Sequence, residues 1–426
     1  MKSVINFIVL PVLLIALGSC AAHKDVRFKK KLASALQKEK FDDHFTGIFI
    51  YEPFSKDTIF KKNSSLYFTP ASNAKIFTLY ASLQLVPDSV PVLKYLIKGD
   101  TLYVEGTGNP TTLHPYFKDS IGINFMKAYD PIMYYPHNFQ EDHFAPGWAW
   151  EDYDGYYSAE RSGLPLYGNA LRIEQTDSLI IYPEFFRDSL LAELSDRNRM
   201  LERNLFYFEE DNIDTLEIPF KNSHRLTKEL LENILRKEIQ LTDTLPDLPK
   251  KILFGIATDS VYTRMMVESD NFLAEQLLIM GAAMLSDTLR SSLARDFVME
   301  TYLSDLKHPP RWVDGSGLSR YNLFTPESMV HVLNKLYLSI PKDRLFALFP
   351  SGGKTGTLED WFAGTPHPYI YAKTGTLGNT YCLSGYLITK SGKTLIFSFM
   401  NNHFNAASSV IKERMQPILE QLRDSY

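Results

Sequence analysis

The sequence predicts a mixed α/β protein of the α+β kind, divided in the sequence by an inserted, mostly β module. Strand-like runs stand near both ends of the 426-residue chain, and strongly helical segments precede the last of them. Residues 91–250 differ from both ends in composition and pattern, with short strand-like runs among aromatic residues and prolines. A chain of this length exceeds one ordinary core, so two or three domains are expected.

The individual elements follow from local patterns. Two early strands are joined by a turn-forming stretch at 52–56, and Phe68 to Ser72 ends a strand and opens a helix. Asp259 is the expected N-cap of a later helix, and a turn at 390–393 makes the last two strands a hairpin. The predicted strands are 46–51, 57–60, 178–182, 215–219, 369–373, 382–388 and 394–399, and the predicted later helices are 260–268, 272–285 and 406–422.

The first 19 residues predict a secretion signal. Lys2 gives a positive start, and residues 4–17 form an apolar run too short to span a bilayer comfortably. The run ends in Leu17-Gly-Ser-Cys20, which resembles a bacterial lipobox. We therefore expect an exported lipoprotein, anchored through Cys20 on the periplasmic side of a bacterial membrane. An ordinary signal peptide, cut near residue 21 or 22, is the alternative.

Composition excludes several other classes. The net charge is −5 with acidic and basic residues intermixed, which gives no basic patch for nucleic acid. Of the ten histidines, His137 and His143 stand six apart, which is not the ligand spacing of a helical metal site, so no metal is expected. If Cys20 carries lipid, Cys382 has no disulfide partner and is expected to be a small buried residue.

Three short motifs occur in order: Ser72-Asn-Ala-Lys75, Ser269-Asp-Asn271 and Lys373-Thr-Gly375. A serine hydroxyl needs a base beside it to act as a nucleophile. Residues three apart on a helix share a face, so the Lys75 amine can reach Ser72. Lysine serves as a base only when its pKa is lowered, which burial and the second cation, Lys373, would both favour.

The other motif residues suit the binding of a peptide. The hydroxyl of Ser269 can relay a proton to a leaving amine, and Asn271 offers a donor and an acceptor for a substrate amide. The charge of Lys373 suits a substrate carboxylate. Gly375 on an edge strand permits close backbone approach, so the N–H of Thr376 and the N–H of Ser72 can form an oxyanion hole.

The flanks of these motifs resemble a known family. The trio is the signature of class A β-lactamases and penicillin-binding proteins. Residues 68–75, 268–275, 314–319 and 371–377 closely resemble the D-alanyl-D-alanine carboxypeptidase/endopeptidase family, the low-molecular-mass class C penicillin-binding proteins. Residues 106–111 are similar to that family's glycine-rich GxGDPT segment. The resemblance covers roughly residues 45–115 and 255–390.

The resemblance implies a penicillin-binding transpeptidase/β-lactamase-like domain, an antiparallel sheet flanked by helices with a helical lobe. We expect a signal peptide at 1–19, the two parts of this domain at 20–90 and 251–426, and the insert at 91–250. Ser72, Lys75 and Ser269 would be catalytic, and Asn271, Lys373, Thr374, Gly375 and Thr376 would bind substrate. Peptidoglycan stem peptides and β-lactams are the implied partners, with no cofactor, and Asp314 and Ser316 are expected to be structural.

A second Lys-Thr-Gly-Thr segment, residues 354–357, competes for the role of third motif. In the family, a DGTL segment stands shortly before the true motif, and residues 355–358 occupy that place without its acid. Ser351-Gly-Gly353 predicts a loop, whereas residues 369–372 predict a strand followed by a hairpin. We therefore assign the motif to Lys373 and expect Lys354 to lie in a loop away from Ser72.

Two rival functions differ from a peptidase. A β-lactamase of class A needs a glutamate and a nearby asparagine between the first two motifs, and no convincing Glu-x-x-Leu-Asn occurs there. The long insert also argues against it. A catalytically inactive protein that binds muropeptides or β-lactams is the other rival, and the intact trio argues against that. Carboxypeptidase and endopeptidase action use the same D-alanyl carbonyl, so the motifs fit both.

Overall fold

A computed structural model describes residues 30–41, 43–175, 179–209 and 215–426. The predicted signal peptide and Cys20 lie outside these residues. The helices are α1 (30–38), α2 (Lys75–Leu85), α3 (Ile121–Lys127), α4 (His224–Leu235), α5 (Thr258–Val267), α6 (Asn271–Leu285), α7 (Ser291–Thr301), α8 (Pro326–Ser339), α9 (Lys342–Ala347) and α10 (Ser408–Ser425). No helix in the described ranges combines the length and apolar character that a bilayer crossing requires.

The strands are β1 (Phe45–Glu52), β2 (Asp57–Lys62), β3 (Ser89–Lys98), β4 (Thr101–Gly106), β5 (Ile132–Tyr135), β6 (Ala170–Gln175), β7 (Leu179–Tyr182), β8 (Leu190–Ala192), β9 (Phe206–Phe208), β10 (Thr215–Pro219), β11 (Ile239–Leu241), β12 (Lys251–Ala257), β13 (Ile370–Leu377), β14 (Thr380–Ile388) and β15 (Thr394–Asn402). The mixture of antiparallel sheet and helices confirms the predicted α+β class.

The two ends of the chain share one five-stranded antiparallel sheet, in the order β13-β14-β15-β1-β2. Alternate residues of its strands face opposite sides of the sheet. On one side, Ile48 and Phe397 pack with residues of α1 and α10 such as Leu36 and Ile411. Cys382 is fully buried and unpaired within the described residues, as expected of a small apolar residue.

A lobe of helices covers the other side of the sheet. Helix α6 is buried from Phe272 to Ala283 and packs against α2, α5 and α7. A helix with apolar residues on every side is a core helix, which explains this position, and its buried polar side chains Glu275 and Gln276 are hydrogen-bonded. Asp270 caps it by accepting the N–H of Leu273 at 3.0 Å.

The insert holds the remaining strands in three sheets, ordered β11-β5-β4-β3-β12, β10-β6-β7 and β8-β9. Its glycine-rich segment, residues 106–111, ties the insert to the helical lobe. Gln276 of α6 donates to the carbonyl oxygen of Gly108 at 2.9 Å. Gly106 lies so close to Gly163 that a Cβ atom would stand 1.9 Å from its carbonyl oxygen.

The second boundary of the insert differs from the predicted one. Strand β12 pairs antiparallel with β3, so residues 251–257 belong to the insert and not to the sheet domain. This pairing joins residues that lie 156 to 168 positions apart in the chain, which local patterns do not reveal. Helix α5 then begins at Thr258 with Ala257 at its N-cap, so Asp259 is not the cap.

Candidate active site

Ser72 lies at the floor of a cleft of about 700 Å³, in a 3₁₀ turn from Ala71 to Ala74 that leads into α2. Ala71 has φ 47°, in the left-handed region that costs a non-glycine residue on the order of 1–3 kcal/mol. Gly317 packs so tightly here that a Cβ would lie 1.9 Å from the carbonyl oxygen of Ala71. Asn73 donates to the carbonyl oxygen of Lys373 at 2.9 Å, which fastens this turn to β13.

Lys75 is fully buried one turn after Ser72. Its Nζ lies 2.9 Å from Ser72 Oγ, 2.6 Å from Asn271 Oδ1 and 2.8 Å from the carbonyl oxygen of Ser316. A neutral amine keeps two N–H donors, which Asn271 and Ser316 can accept, and its lone pair then points to Ser72. The geometry therefore suits a base for the serine hydroxyl.

Burial is the main reason why the pKa values of Lys75 and Lys373 are lowered. It lowers the pKa of Lys75 to about 8, against the opposing charges of Asp270, Asp314 and Glu275. Burial, followed by the charge of Lys75, also lowers the pKa of Lys373 well below its usual range. The charged form of a buried amine is disfavoured because it loses its hydration.

The second and third motifs meet beside these lysines. Lys373 Nζ donates to Ser269 Oγ at 2.8 Å and to the carbonyl oxygen of Thr374 at 3.0 Å. Ser269 has φ 61°, another left-handed non-glycine residue at this site. Asn271 donates to the carbonyl oxygen of Tyr157 at 2.9 Å, and its second amide N–H remains for a substrate carbonyl.

Strand β13 is the edge of its sheet and runs along the nucleophile turn. Gly375 approaches so closely that a Cβ would lie 2.5 Å from the carbonyl oxygen of Pro70. The N–H of Ala372 points away from β14, because it donates to the carbonyl oxygen of Pro350 at 3.0 Å. Alternation along the strand puts the N–H of the cleft-lining Thr376 on the same free side.

The competing Lys-Thr-Gly-Thr segment lies in a loop before β13. Lys354 is exposed in a turn, and the Thr355 hydroxyl accepts the N–H of Ser351 at 3.0 Å. Thr357 reaches the cleft, where its hydroxyl accepts from that of Thr374 at 2.8 Å. The sequence singled out this segment for its lysine, but its threonine makes the contact.

Two buried acidic residues, Asp314 and Glu275, hold the loop at residues 314–319 that Lys75 contacts. Asp314 accepts the N–H groups of Gly317 and Ser319. Glu275, fully buried on α6, accepts the N–H of Ser316 at 2.7 Å. Glu275 therefore holds the backbone of Ser316, the residue whose carbonyl oxygen accepts from Lys75. Sequence reasoning gave Glu275 no role, although it lies in residues 268–275, one of the segments that resemble the family.

Across the described ranges, no group of three or more His, Cys, Asp or Glu residues could hold a metal ion.

The sheet, the helical lobe and the three-motif cleft together define the penicillin-binding type of fold. The chain belongs to the D-Ala-D-Ala carboxypeptidase 3 (S13) family, whose model matches residues 28–179 and 259–422. The predicted family resemblance is thereby confirmed.

Individual relatives are more distant. D-alanyl-D-alanine carboxypeptidase DacB of Haemophilus influenzae is 31% identical over 116 residues, which is 26% of this chain and 24% of that protein. A D-alanyl-D-alanine carboxypeptidase of Actinomadura is 37% identical over 95 residues, 21% of this chain and 18% of its own length. The matched segments thus span about a quarter or less of these relatives.

Solved structures match over most of the chain. Penicillin-binding protein 4 (dacB) of Haemophilus influenzae has a TM-score of 0.73 at 18% identity, covering 92% of this chain and 99% of that one. Bd3459, a predatory peptidoglycan endopeptidase of Bdellovibrio bacteriovorus, has a TM-score of 0.51 at 14% identity, covering 88% and 92%. At these identities the likeness concerns the fold.

Replacing Glu275 by Gln should move the pH dependence of penicillin acylation to lower pH. Gln keeps an oxygen acceptor for the Ser316 N–H, but it removes an anion that raises the pKa of Lys75. A lysine accepts a proton only in its neutral form, so we expect the rate to rise with pH through about 8 in the parent protein and at lower pH in the variant. Stopped-flow acylation across pH measures this. Glu105→Gln, a buried glutamate of the insert, is the matched control. An unshifted profile for Glu275→Gln would contradict the argument.

The substitutions Lys373→Ala and Lys354→Ala test which of the two Lys-Thr-Gly segments is the third motif. Removing a positioned charge that acts in the transition state costs about a hundredfold in rate. We expect that loss for Lys373, and less than about threefold for the exposed Lys354. One fluorescent penicillin, used on both variants, gives the comparison. The reverse order would move the third motif to residues 354–356.

Proposed function

We propose that this protein is a serine-type D-alanyl-D-alanine carboxypeptidase and endopeptidase that cleaves peptidoglycan stem peptides through an acyl-enzyme on Ser72. The observation that carries the proposal is the 2.9 Å contact between Ser72 Oγ and the buried Lys75 amine. Burial lowers the pKa of that amine to about 8, so a useful fraction is neutral near neutral pH.

Acylation begins when neutral Lys75 takes the proton of Ser72, and Ser72 Oγ bonds to the D-alanyl carbonyl carbon. The backbone N–H groups of Ser72 and Thr376 stabilise the negative carbonyl oxygen of the tetrahedral intermediate. The carbon–nitrogen bond then breaks, and the proton held by Lys75 passes through the hydroxyl of Ser269, which accepts a hydrogen bond from Lys373, to the leaving amine. Lys75 is then neutral again. The leaving group is either a terminal D-alanine or the amine of a cross-linked peptide.

Deacylation returns the enzyme to its starting state. A water molecule attacks the ester carbonyl, and its proton passes to Lys75. The ester bond breaks, Ser72 Oγ recovers a proton, and the peptide leaves with a free carboxylate. A β-lactam would be attacked in the same way, but its amine stays tethered to the acyl group after ring opening. Relatives named as D-alanyl-D-alanine carboxypeptidases, and a penicillin-binding protein 4 structure in complex with a β-lactam, support this proposal.

We also propose that the mature protein is a lipoprotein on the periplasmic side of a bacterial membrane. The apolar run of residues 4–17, followed by Leu17-Gly-Ser-Cys20, supports this location. A peptidoglycan peptidase must be exported to meet its substrate, so the two proposals agree.

Ser72→Ala should abolish both covalent penicillin labelling and release of D-alanine, because the nucleophile is lost. Its free energy of unfolding should stay within about 1 kcal/mol of the parent protein. Mass spectrometry of the intact protein detects the adduct. A persisting adduct would exclude Ser72 as the nucleophile, and rapid turnover of the penicillin by the parent protein would favour a β-lactamase.

Cys20→Ser should give soluble or uncleaved protein, because a serine cannot carry the diacylglyceryl thioether. Membrane fractionation and mass spectrometry of the mature N-terminus test this. Unchanged membrane association in the variant, or a parent N-terminus at residue 21 or 22, would contradict the lipoprotein proposal.

A further inference from the structure

The cleft that holds Ser72 continues into a second cavity of about 740 Å³. The two cavities share lining residues, including His114, Arg172 and Arg264, so they form one path. The second cavity lies between α5 and the β6–β7–β10 sheet of the insert, and Ile180 and Tyr182 line its far side. We call this second cavity the insert groove.

The insert groove begins beside Ser269, the residue that protonates the leaving amine in the proposed mechanism. Its Arg264 belongs to α5, which ends at Val267 just before Ser269. Gly356 packs against the backbone of Val267, and the adjacent Thr357 bonds to Thr374. The opposite end of the cleft is lined by Arg320 and Leu377, and Leu377 lies about 10 Å along β13 from Thr374. A peptide that leaves the site past Ser269 therefore enters the insert groove.

His114 presents a hydrogen-bond donor to this path. The residue is only 8% exposed, yet it lines both cavities. Its Nδ1 accepts the N–H of Tyr116 at 3.2 Å, so the ring proton sits on Nε2. Nε2 has no hydrogen-bond partner among the described residues. Burial lowers the pKa of His114 to about 4, so the ring is neutral near pH 7 and donates from Nε2 alone.

The charges of the groove suit a peptide that carries carboxylates. Three cations line it, Lys118, Arg172 and Arg264, together with two carboxylates, Glu174 and Glu217. Arg172 is paired with both glutamates, while Lys118 is exposed. Arg264 lies over the ring of Tyr116 at 4.3 Å and 3.7 Å from a carboxylate oxygen of Asp270, which gives a wall that combines an aromatic ring with a partly balanced cation. Stem peptides of peptidoglycan offer free carboxylates and amide carbonyls to such a wall.

We propose that the insert groove binds the leaving peptide strand of cross-linked peptidoglycan, and that His114 donates its Nε2–H to a carbonyl or carboxylate oxygen of that strand. This inference rests on the proposed function. In the carboxypeptidase reaction the leaving group is a single amino acid, which ends near Ser269 and does not reach His114. The groove therefore favours endopeptidase substrates, and His114 acts in specificity.

Two substitutions separate the donor from the shape of the ring. His114→Asn keeps an oxygen acceptor for the Tyr116 N–H but has no donor at the Nε2 position, whereas His114→Gln can place an amide N–H there. The readout is kcat/KM for a cross-linked muropeptide dimer divided by kcat/KM for a monomeric pentapeptide muropeptide. We expect His114→Asn to lower this ratio about tenfold, as for one lost hydrogen bond to a charged group, and His114→Gln to restore most of it.

Lys118→Glu gives a second test that does not disturb a buried residue. It should raise KM for the dimer more than KM for the monomer, because it reverses a charge at the far part of the groove. Equal losses on both substrates in the His114 and Lys118 variants, or an unchanged ratio in all of them, would overturn the inference. A parent protein that cleaves monomer but no dimer would overturn it as well. Failure of the proposed function is recognised separately, as absence of penicillin acylation in the parent protein.

Discussion

The architecture of the site depends on one constraint: the amine of Lys75 is buried beside Ser72, so the protein itself must supply its hydrogen-bond partners. Burying an amine is costly unless its hydrogen-bonding groups have partners, and three parts of the chain supply them. The start of α6 and the loop at residues 314–319 accept its two N–H groups, and the nucleophile turn places the Ser72 hydroxyl at its lone pair. These parts are kept in place by the helical lobe, by the contact of the insert with α6 and by the buried Glu275. All three therefore support the position of the Lys75 amine.

The second lysine works in the same setting. Lys373 is also fully buried, and its repulsion from Lys75 disfavours two charges at once. Close backbone packing makes the two lysines neighbours, since Gly317 and Gly375 leave no room for a Cβ against the nucleophile turn. Two left-handed residues, Ala71 and Ser269, complete the arrangement at a conformational cost. Strain of this kind persists only where surrounding contacts determine the backbone.

The second half of the insert is the part of the chain in which sequence similarity fades while the architecture persists. The family model leaves out residues 180–258, yet the fold of penicillin-binding protein 4 covers 92% of the chain. The insert contacts the site through the backbone carbonyl of Tyr157 and through His114 on the wall of the cleft. Under the proposed function, variation in this module would change which peptides enter the cleft without changing the lysines and serines at its floor.

The sequence by itself determined the fold class, the family and the three motifs, because local patterns predict the elements and the residues around the motifs carry the resemblance to the family. Ser72 and Lys75 share one helical turn, and β14 and β15 share one hairpin, so local patterns suffice there. The tertiary structure alone decided what is set by distant segments. It assigned β12 to the insert, put Glu275 behind Ser316, and brought Thr357 rather than Lys354 to the cleft. It also exposed the Nε2 of His114 to a groove built from two domains. These contacts join residues that lie far apart in the chain, and a local sequence pattern carries no record of which distant residues will meet.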